Sequence, residues 1–323
     1  MLNHPLERRR TLLRRAATVC AVLVLVVTSL SAFLRQTSAG LGCKPWPACH
    51  ARAAQVDTPR ASPSPAEQRA RALHRVLASA LLVLLLALAA LAWLRKPRMA
   101  TEGRALLLAL GLALFLAVLG VFTAKARVPA VTMGNLLGGM LLFSTCVRLA
   151  VAPAFMAEPV RRKLRAWAWL AGALLVLQAA LGALVSAGYA GLSCAELHEC
   201  VPGVDAWAAL NPWHAPGVGA GQAGYVQGVG VHLLHRGTTL PVLAALVMLA
   251  WAAWRGAQRT SAVLLLGLAA LQVALGVTLV LEQLPMAVAL GHNLLAALLL
   301  GAVAGLGARA GPHACPASSG GVR

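Results

Sequence analysis

The sequence has few acidic residues and few charged residues of either sign. Only 9 of its 323 residues are Asp or Glu, and charged residues make up 11% of the chain. Aromatic residues are also scarce, at 5%, whereas hydrophobic residues reach 59%. A soluble protein of this length needs a largely polar exterior, which so few polar residues cannot provide. The composition therefore argues against a soluble fold.

Apolar segments account for most of the chain. Crossing the hydrocarbon of a bilayer takes about 20 apolar residues in a helix. Eight segments meet this requirement, and we predict an all-α membrane protein with eight transmembrane helices. The predicted helices cover residues 16–34, 72–94, 104–124, 129–151, 165–187, 228–254, 260–281 and 285–307.

Basic residues predict the orientation in the membrane. The net charge of +19 would suggest nucleic-acid binding in a soluble protein, but here the basic residues form short runs between apolar segments. Lys and Arg are enriched in cytoplasmic loops, and basic runs occur at the N-terminus and in loops 95–104, 148–165 and 255–259. Loop 188–227 has neither residue. We predict an inner-membrane protein with cytoplasmic termini and no nucleic-acid partner.

The first external loop is the exception to this charge rule. It is rich in basic residues although we expect it on the outer side. Four cysteines lie in the two external loops, and paired cysteines on the oxidising side of a membrane are typical of disulfides. The basic residues are Arg35, Lys44, Arg52, Arg60, Arg69 and Arg71, and the cysteines are Cys43, Cys49, Cys194 and Cys200.

The chain contains an internal repeat. The segment Ala39-Gly-Leu-Gly-Cys43 corresponds to Ala190-Gly-Leu-Ser-Cys194, and each half then continues with Leu-His-Arg. We predict two four-helix bundles, residues 1–157 and 158–323. Because four is an even number of crossings, both halves insert in the same direction and the repeat is parallel.

Three histidines fall at a similar depth in helices that enter from the external side. His74 and His235 belong to the two Leu-His-Arg segments, and His292 follows Pro285 in the last helix. Histidines on facing helices of a bundle can hold a heme iron from both sides. The adjacent Arg75 and Arg236 can then bind heme propionates. The alternative is that each histidine bonds a backbone carbonyl and each arginine reaches the headgroups.

The remaining polar residues of the spans are assigned simpler roles. His232 shares a helix face with His235, and we expect it near the surface. Asn135 stands where symmetry with His292 predicts a histidine, and we expect it to bond another helix while Gly138 and Gly139 allow close packing. The loop histidines His50, His198 and His214 are expected to be solvated. Gln178 and Gln272 recur in related segments, with packing as the first interpretation and a cofactor contact as the second.

Together these segments resemble the heme A synthase family over residues 15–307. The resemblance rests on Arg35-Gln-Thr-Ser-Ala-Gly-Leu-Gly-Cys43, on both Leu-His-Arg segments, on Tyr189 to Cys194, and on Leu284-Pro285 through His292. It implies a heme b whose iron has His235 and His292 as axial ligands. It also implies an N-terminal bundle where His74 is catalytic and heme O is the substrate, whose methyl group at ring position 8 becomes a formyl group.

The sequence departs from this family in its N-terminal half. The glutamate usual three residues before the first histidine is Arg71 here, and the usual histidine of helix 4 is Asn135. Glu67, one turn further out, is an uncertain substitute. Two other classes therefore stay open: a non-catalytic heme-binding electron carrier or oxidase assembly factor, and a transporter. The lack of acidic residues inside the spans argues against the transporter.

The resemblance also implies partners. Heme O is the expected substrate and the lipid bilayer the expected surroundings. Heme O synthase and cytochrome oxidase subunits are candidate protein partners, and a homo-oligomer is a further candidate assembly.

Overall fold

Long apolar helices form the body of the protein in a computed structural model, which describes residues 4–55, 62–123, 128–153, 156–194, 196–198 and 200–310. Apart from short 3-10 turns, the regular structure in these ranges consists of α-helices. These are α1 (His4–Ser38), α2 (Ala48–Ala54), α3 (Pro65–Leu94), α4 (Ala100–Thr123), α5 (Pro129–Ala150), α6 (Glu158–Ala187), α7 (Val229–Gly237), α8 (Thr239–Arg255), α9 (Arg259–Leu281) and α10 (Met286–Arg309).

Eight helical segments are long and apolar enough to cross a membrane, as predicted. Seven are single helices, and the sixth, Val226–Arg255, contains α7 and α8. Large apolar side chains such as Val83, Leu108 and Leu264 are exposed on their outer faces. Lipid tails can cover such a surface, so the all-α membrane fold is confirmed.

Several helices begin earlier than the apolar runs predict. α3 starts at Pro65 instead of residue 72, because Ser64 caps it: the Glu67 backbone N–H donates to Ser64 Oγ at 3.2 Å and the Ser64 N–H donates to Glu67 Oε2 at 2.8 Å. Such a capping box satisfies backbone donors at a helix start. Hydropathy detects only the part of a helix within hydrocarbon, and capping chemistry decides where the helix begins.

The sixth span is interrupted where the sequence predicts one helix. α7 ends at Gly237 and α8 begins at Thr239. Pro241 has no backbone N–H for the Gly237 carbonyl, and its ring clashes with the carbonyl four residues earlier. The break therefore lies just after His235.

The helices pack in the same order in each half. In the first half α1 contacts α3 and α5, and α4 joins α3 to α5. In the second half α6 contacts α8 and α10, and α9 joins α8 to α10. The halves meet through α5 against α10 and α6, and through α1 against α10. Each half is thus a four-membered ring of spans.

Glycines allow close approach within the first ring, as predicted. A Cβ atom at Gly139 would lie 2.7 Å from Thr28 Cγ2 on α1. One at Gly138 would lie 2.8 Å from Leu116 Cδ2 on α4. α5 therefore packs closely against both neighbours because these positions lack a side chain.

Candidate functional sites

His235 on α7 is held by a glutamine of the neighbouring helix α6. Gln178 Nε2 donates to the His235 carbonyl oxygen at 2.7 Å and to Thr239 Oγ1 at 3.1 Å, and it lies 3.3 Å from His235 Nδ1. Thr238 Oγ1 donates to Gln178 Oε1. A Cβ atom at Gly182 would lie 2.9 Å from His235 Cε1. The glutamine fixes the backbone beside the ring, and the glycine leaves room for it.

His292 on α10 has an equivalent setting against α9. Gln272 Nε2 lies 3.1 Å from His292 Nε2, and a Cβ atom at Gly276 would lie 3.3 Å from His292 Cε1. In both settings the glutamine precedes the glycine by four residues, which places them on one face of the helix. The repeated Leu-Gln-x-Ala-Leu-Gly segment is the sequence signal for these pairs. The first interpretation, interhelical packing, is confirmed, but the sequence did not reveal that the partners are the histidines.

The two rings have the nitrogen chemistry of heme-iron ligands. His292 Nδ1 is buried without a hydrogen-bond partner, and so is Gln272 Oε1. Metal-ligating histidines usually donate their other N–H to an acceptor, and rotating the Gln272 amide would supply one. Two imidazoles, each beside an amide of a neighbouring helix, fit the ligation of a heme iron.

The loop that precedes α7 covers the residues next to His235. His232 is buried, with 5% of its surface exposed, so the prediction of a near-surface position was wrong. The reason is that the loop folds over α7, where the Gly230 N–H donates to the Ala206 carbonyl at 2.9 Å. Arg236 donates through Nη1 to the Glu196 carbonyl and through Nη2 to the Cys194 carbonyl, both at 2.9 Å. In this structure Arg236 therefore bonds the second cysteine loop to α7.

A cavity of about 800 Å³ lies mainly between helices of the N-terminal half, is bordered also by α6 and α10, and contains His74 in its wall. Small-molecule and cofactor sites are typically about 300–1,000 Å³. The described residues that line the cavity include no Asp or Glu. Its polar lining includes Ser31, Arg35, Arg71, His74, Arg75, Ser79, Asn135 and Asn293.

Asn135, which replaces the family's histidine, and Glu67, the uncertain substitute for its glutamate, both have structural roles here. Asn135 Nδ2 donates to Ser31 Oγ at 3.3 Å, so it bonds α5 to α1 as predicted while facing the cavity. The Glu67 carboxylate accepts a hydrogen bond from the Ser64 N–H and thereby caps α3. Arg71 and Arg75 are exposed at the cavity wall.

Both cysteine pairs form disulfides. The Cα atoms are 6.0 Å apart for Cys43 and Cys49 and 5.2 Å apart for Cys194 and Cys200, within the range for such bonds. These pairs close the two loops that precede α3 and α7.

His50 is buried, so the prediction that it is solvated was wrong. Only 3% of its surface is exposed, and its Nδ1 donates to the Ala39 carbonyl oxygen at 2.6 Å. Its ring lies 5.1 Å from both Trp46 and Tyr189, between centroids. Burial lowers the pKa of His50, although the bond to Ala39 acts in the opposite direction. His50 thus joins the first cysteine loop to Tyr189 of the second half, whereas His198 and His214 are exposed as predicted.

Comparison with known proteins identifies the family. Residues 14–304 match the family model described as cytochrome oxidase assembly protein. Heme A synthase from Shewanella oneidensis is 30% identical over 306 residues, which cover 87% of this chain and 92% of the relative. The chain belongs to the heme A synthase family. Membership supports a role in heme A biosynthesis and an oxidoreductase type of enzyme, and it fits a heme cofactor.

Proposed function

We propose that this member of the heme A synthase family oxidises the ring-position-8 methyl group of heme O to a formyl group, giving heme A. A bound heme b would supply electron transfer. The observation that carries the proposal is the difference between the halves: two glutamine-paired histidines in one, and a cavity with His74 in the other.

The C-terminal half is suited to electron transfer. His235 and His292 would hold heme b from both sides, which leaves no open position for oxygen chemistry. Gln178 and Gln272 support the rings, and Gly182 and Gly276 leave room for them. These contacts would keep the two rings in place beside a bound heme.

The N-terminal half is suited to hold a substrate with one face accessible. His74 is its histidine, and Asn135 occupies the family's second histidine position with a shorter amide that is already bonded to Ser31. The Asn135 side would therefore stay open to dioxygen, which would serve as the oxidant of the methyl group. The exposed Arg71 and Arg75 complement the propionates of the substrate through charge-assisted hydrogen bonds.

The architecture and partners follow from the same proposal. We assign residues 1–157 to the substrate half and residues 158–323 to the heme b half, with the cysteine loops external and the termini cytoplasmic. A heme O synthase would supply the substrate and cytochrome oxidase subunits would receive the product.

A non-catalytic heme carrier or oxidase assembly factor is the second candidate. It is favoured by Arg71 and Asn135 at the family's polar positions and by the engagement of Glu67 in a helix cap. On this alternative the C-terminal heme site is retained and the cavity carries out no oxidation.

Heme extraction distinguishes the two candidates. The chain is expressed in a host that makes heme O but not heme A, and the extracted hemes are separated by chromatography. We expect heme A with the unaltered chain and with His214→Ala, an exposed loop histidine, but none with His74→Ala. Bound heme b with heme O unchanged under oxygen would favour the carrier.

A further inference from the structure

Arg35 is a cation in the wall of the N-terminal cavity without an acidic partner among the described residues. It lies in the last turn of α1, and its Nε is buried with no hydrogen-bond partner. Its Nη2 donates to Asn293 Oδ1 on α10 at 3.4 Å. The Arg35–Asn293 pair therefore joins the two halves at the cavity.

Within the part of the chain that the structure describes, no carboxylate forms an ion pair with the Arg35 guanidinium. The ion pairs in the described ranges involve Arg10, Arg161 and His198, all outside the cavity. A cation withdrawn from water is costly unless an anion or hydrogen bonds compensate for it. A neutral amide oxygen at 3.4 Å is weak compensation.

We propose that Arg35 and Asn293 form an anion subsite for a carboxylate of the ligand in this cavity. The inference rests on the proposed function in identifying that carboxylate as a porphyrin propionate. A guanidinium binds a carboxylate through paired N–H donors. Asn293 accepts a hydrogen bond from the Arg35 guanidinium and holds that group at the cavity wall.

The position of the subsite suits a ligand that extends inward from it. Arg35 and Ser31 are four residues apart on one face of α1, about 6 Å along the axis. Ser31 bonds Asn135, so the carboxylate lies near the helix end and the rest of the ligand reaches the deeper polar pair. Asn293 directly follows His292, so a ligand in one half contacts the helix that carries a histidine of the other.

The test compares an acid with its ester. Full-length chain loaded with heme b, in nanodiscs of zwitterionic lipid, is titrated with heme O and with heme O dimethyl ester. We expect the unaltered chain to prefer the acid by at least about tenfold, as a hydrogen bond to a charged group implies. Arg35→Gln should reduce this preference severalfold, because Arg71 and Arg75 remain at the cavity wall, and Arg35→Lys should keep more of it than Arg35→Gln. Arg69→Gln is the matched control, because Arg69 is exposed and does not line the cavity.

Each outcome bears on the subsite. A full acid preference in Arg35→Gln overturns it. A second outcome is that the unaltered chain shows no preference for the acid while Arg35→Gln loses a co-purified anionic lipid. This outcome overturns the propionate assignment in favour of a lipid phosphate. If Arg35→Gln does not fold, Asn293→Leu serves instead, with a severalfold loss of preference expected and an unchanged preference contradicting the subsite. Because binding needs no oxidation, a chain that prefers the acid but makes no heme A refutes only the proposed function.

Discussion

Gln272 on α9 and His292 on α10 lie 3.1 Å apart, Nε2 to Nε2. Gln178 on α6 and His235 on α7 are related in the same way, with Gln178 Nε2 3.3 Å from Nδ1. In each case a glycine one turn after the glutamine makes space for the ring. The orientation of both imidazoles is therefore prepared by a neighbouring helix, as expected for residues that hold a cofactor.

Replacing Gln272 tests this preparation. Gln272→Leu should weaken heme b binding about 10–100-fold, the usual effect of losing the partner of a metal-ligating histidine. Heme affinity is measured by transfer to apomyoglobin. Gln222→Leu, at an exposed loop glutamine, should leave the affinity unchanged. Equal affinities in the two variants would show that Gln272 only packs the helices.

A methyl group at Gly182 should displace His235. The new Cβ would lie 2.9 Å from Cε1, and overpacking of this kind typically costs about 1–3 kcal/mol. We expect Gly182→Ala to reduce the low-spin heme absorption. Gly267→Ala is the control, since a Cβ there meets nothing within 4 Å. Identical spectra for both variants would contradict the role of Gly182.

The sequence predicted the eight spans and both disulfides because apolar length and cysteine spacing are local signals. It missed the burial of His50, which depends on Tyr189 more than a hundred residues away. The break after Gly237 could have been predicted from Pro241. Arg35 was counted in a basic loop, and only the end of α1 at Ser38 puts it in the cavity wall.

A histidine at position 135 should close the open side of the N-terminal site. Asn135 and His74 line the same cavity, so Asn135→His offers a second imidazole to an iron bound at His74. We expect the heme O complex to change from high spin to low spin and to lose carbon monoxide binding. Asn135→Ala should keep both properties. A complex that stays high spin in Asn135→His would mean that the two side chains do not face one ligand.

His50 should make stability depend on pH. Its pKa is lowered by burial from an ordinary value of 6.5, so the unfolded chain takes up the proton first as the pH falls. The contribution of neutral His50 to the stability is thus fully present above pH 6.5 and is lost as the pH falls below this value. Thermal unfolding in detergent at pH 8 and pH 5 should show a smaller difference for His50→Gln than for the unaltered chain. The exposed control His214→Gln should keep the full difference, and a full difference in His50→Gln would contradict the assignment.

The central claim is that one chain holds two unlike heme sites, one clamped by two histidines and one open. Electron paramagnetic resonance of the full chain, loaded with heme b and then with heme O, tests it most directly. We predict a low-spin signal from heme b that disappears in His292→Ala and persists in His74→Ala. We also predict a high-spin signal from heme O that disappears only in His74→Ala. A low-spin signal that survives His292→Ala, or that is lost in His74→Ala, would contradict the account.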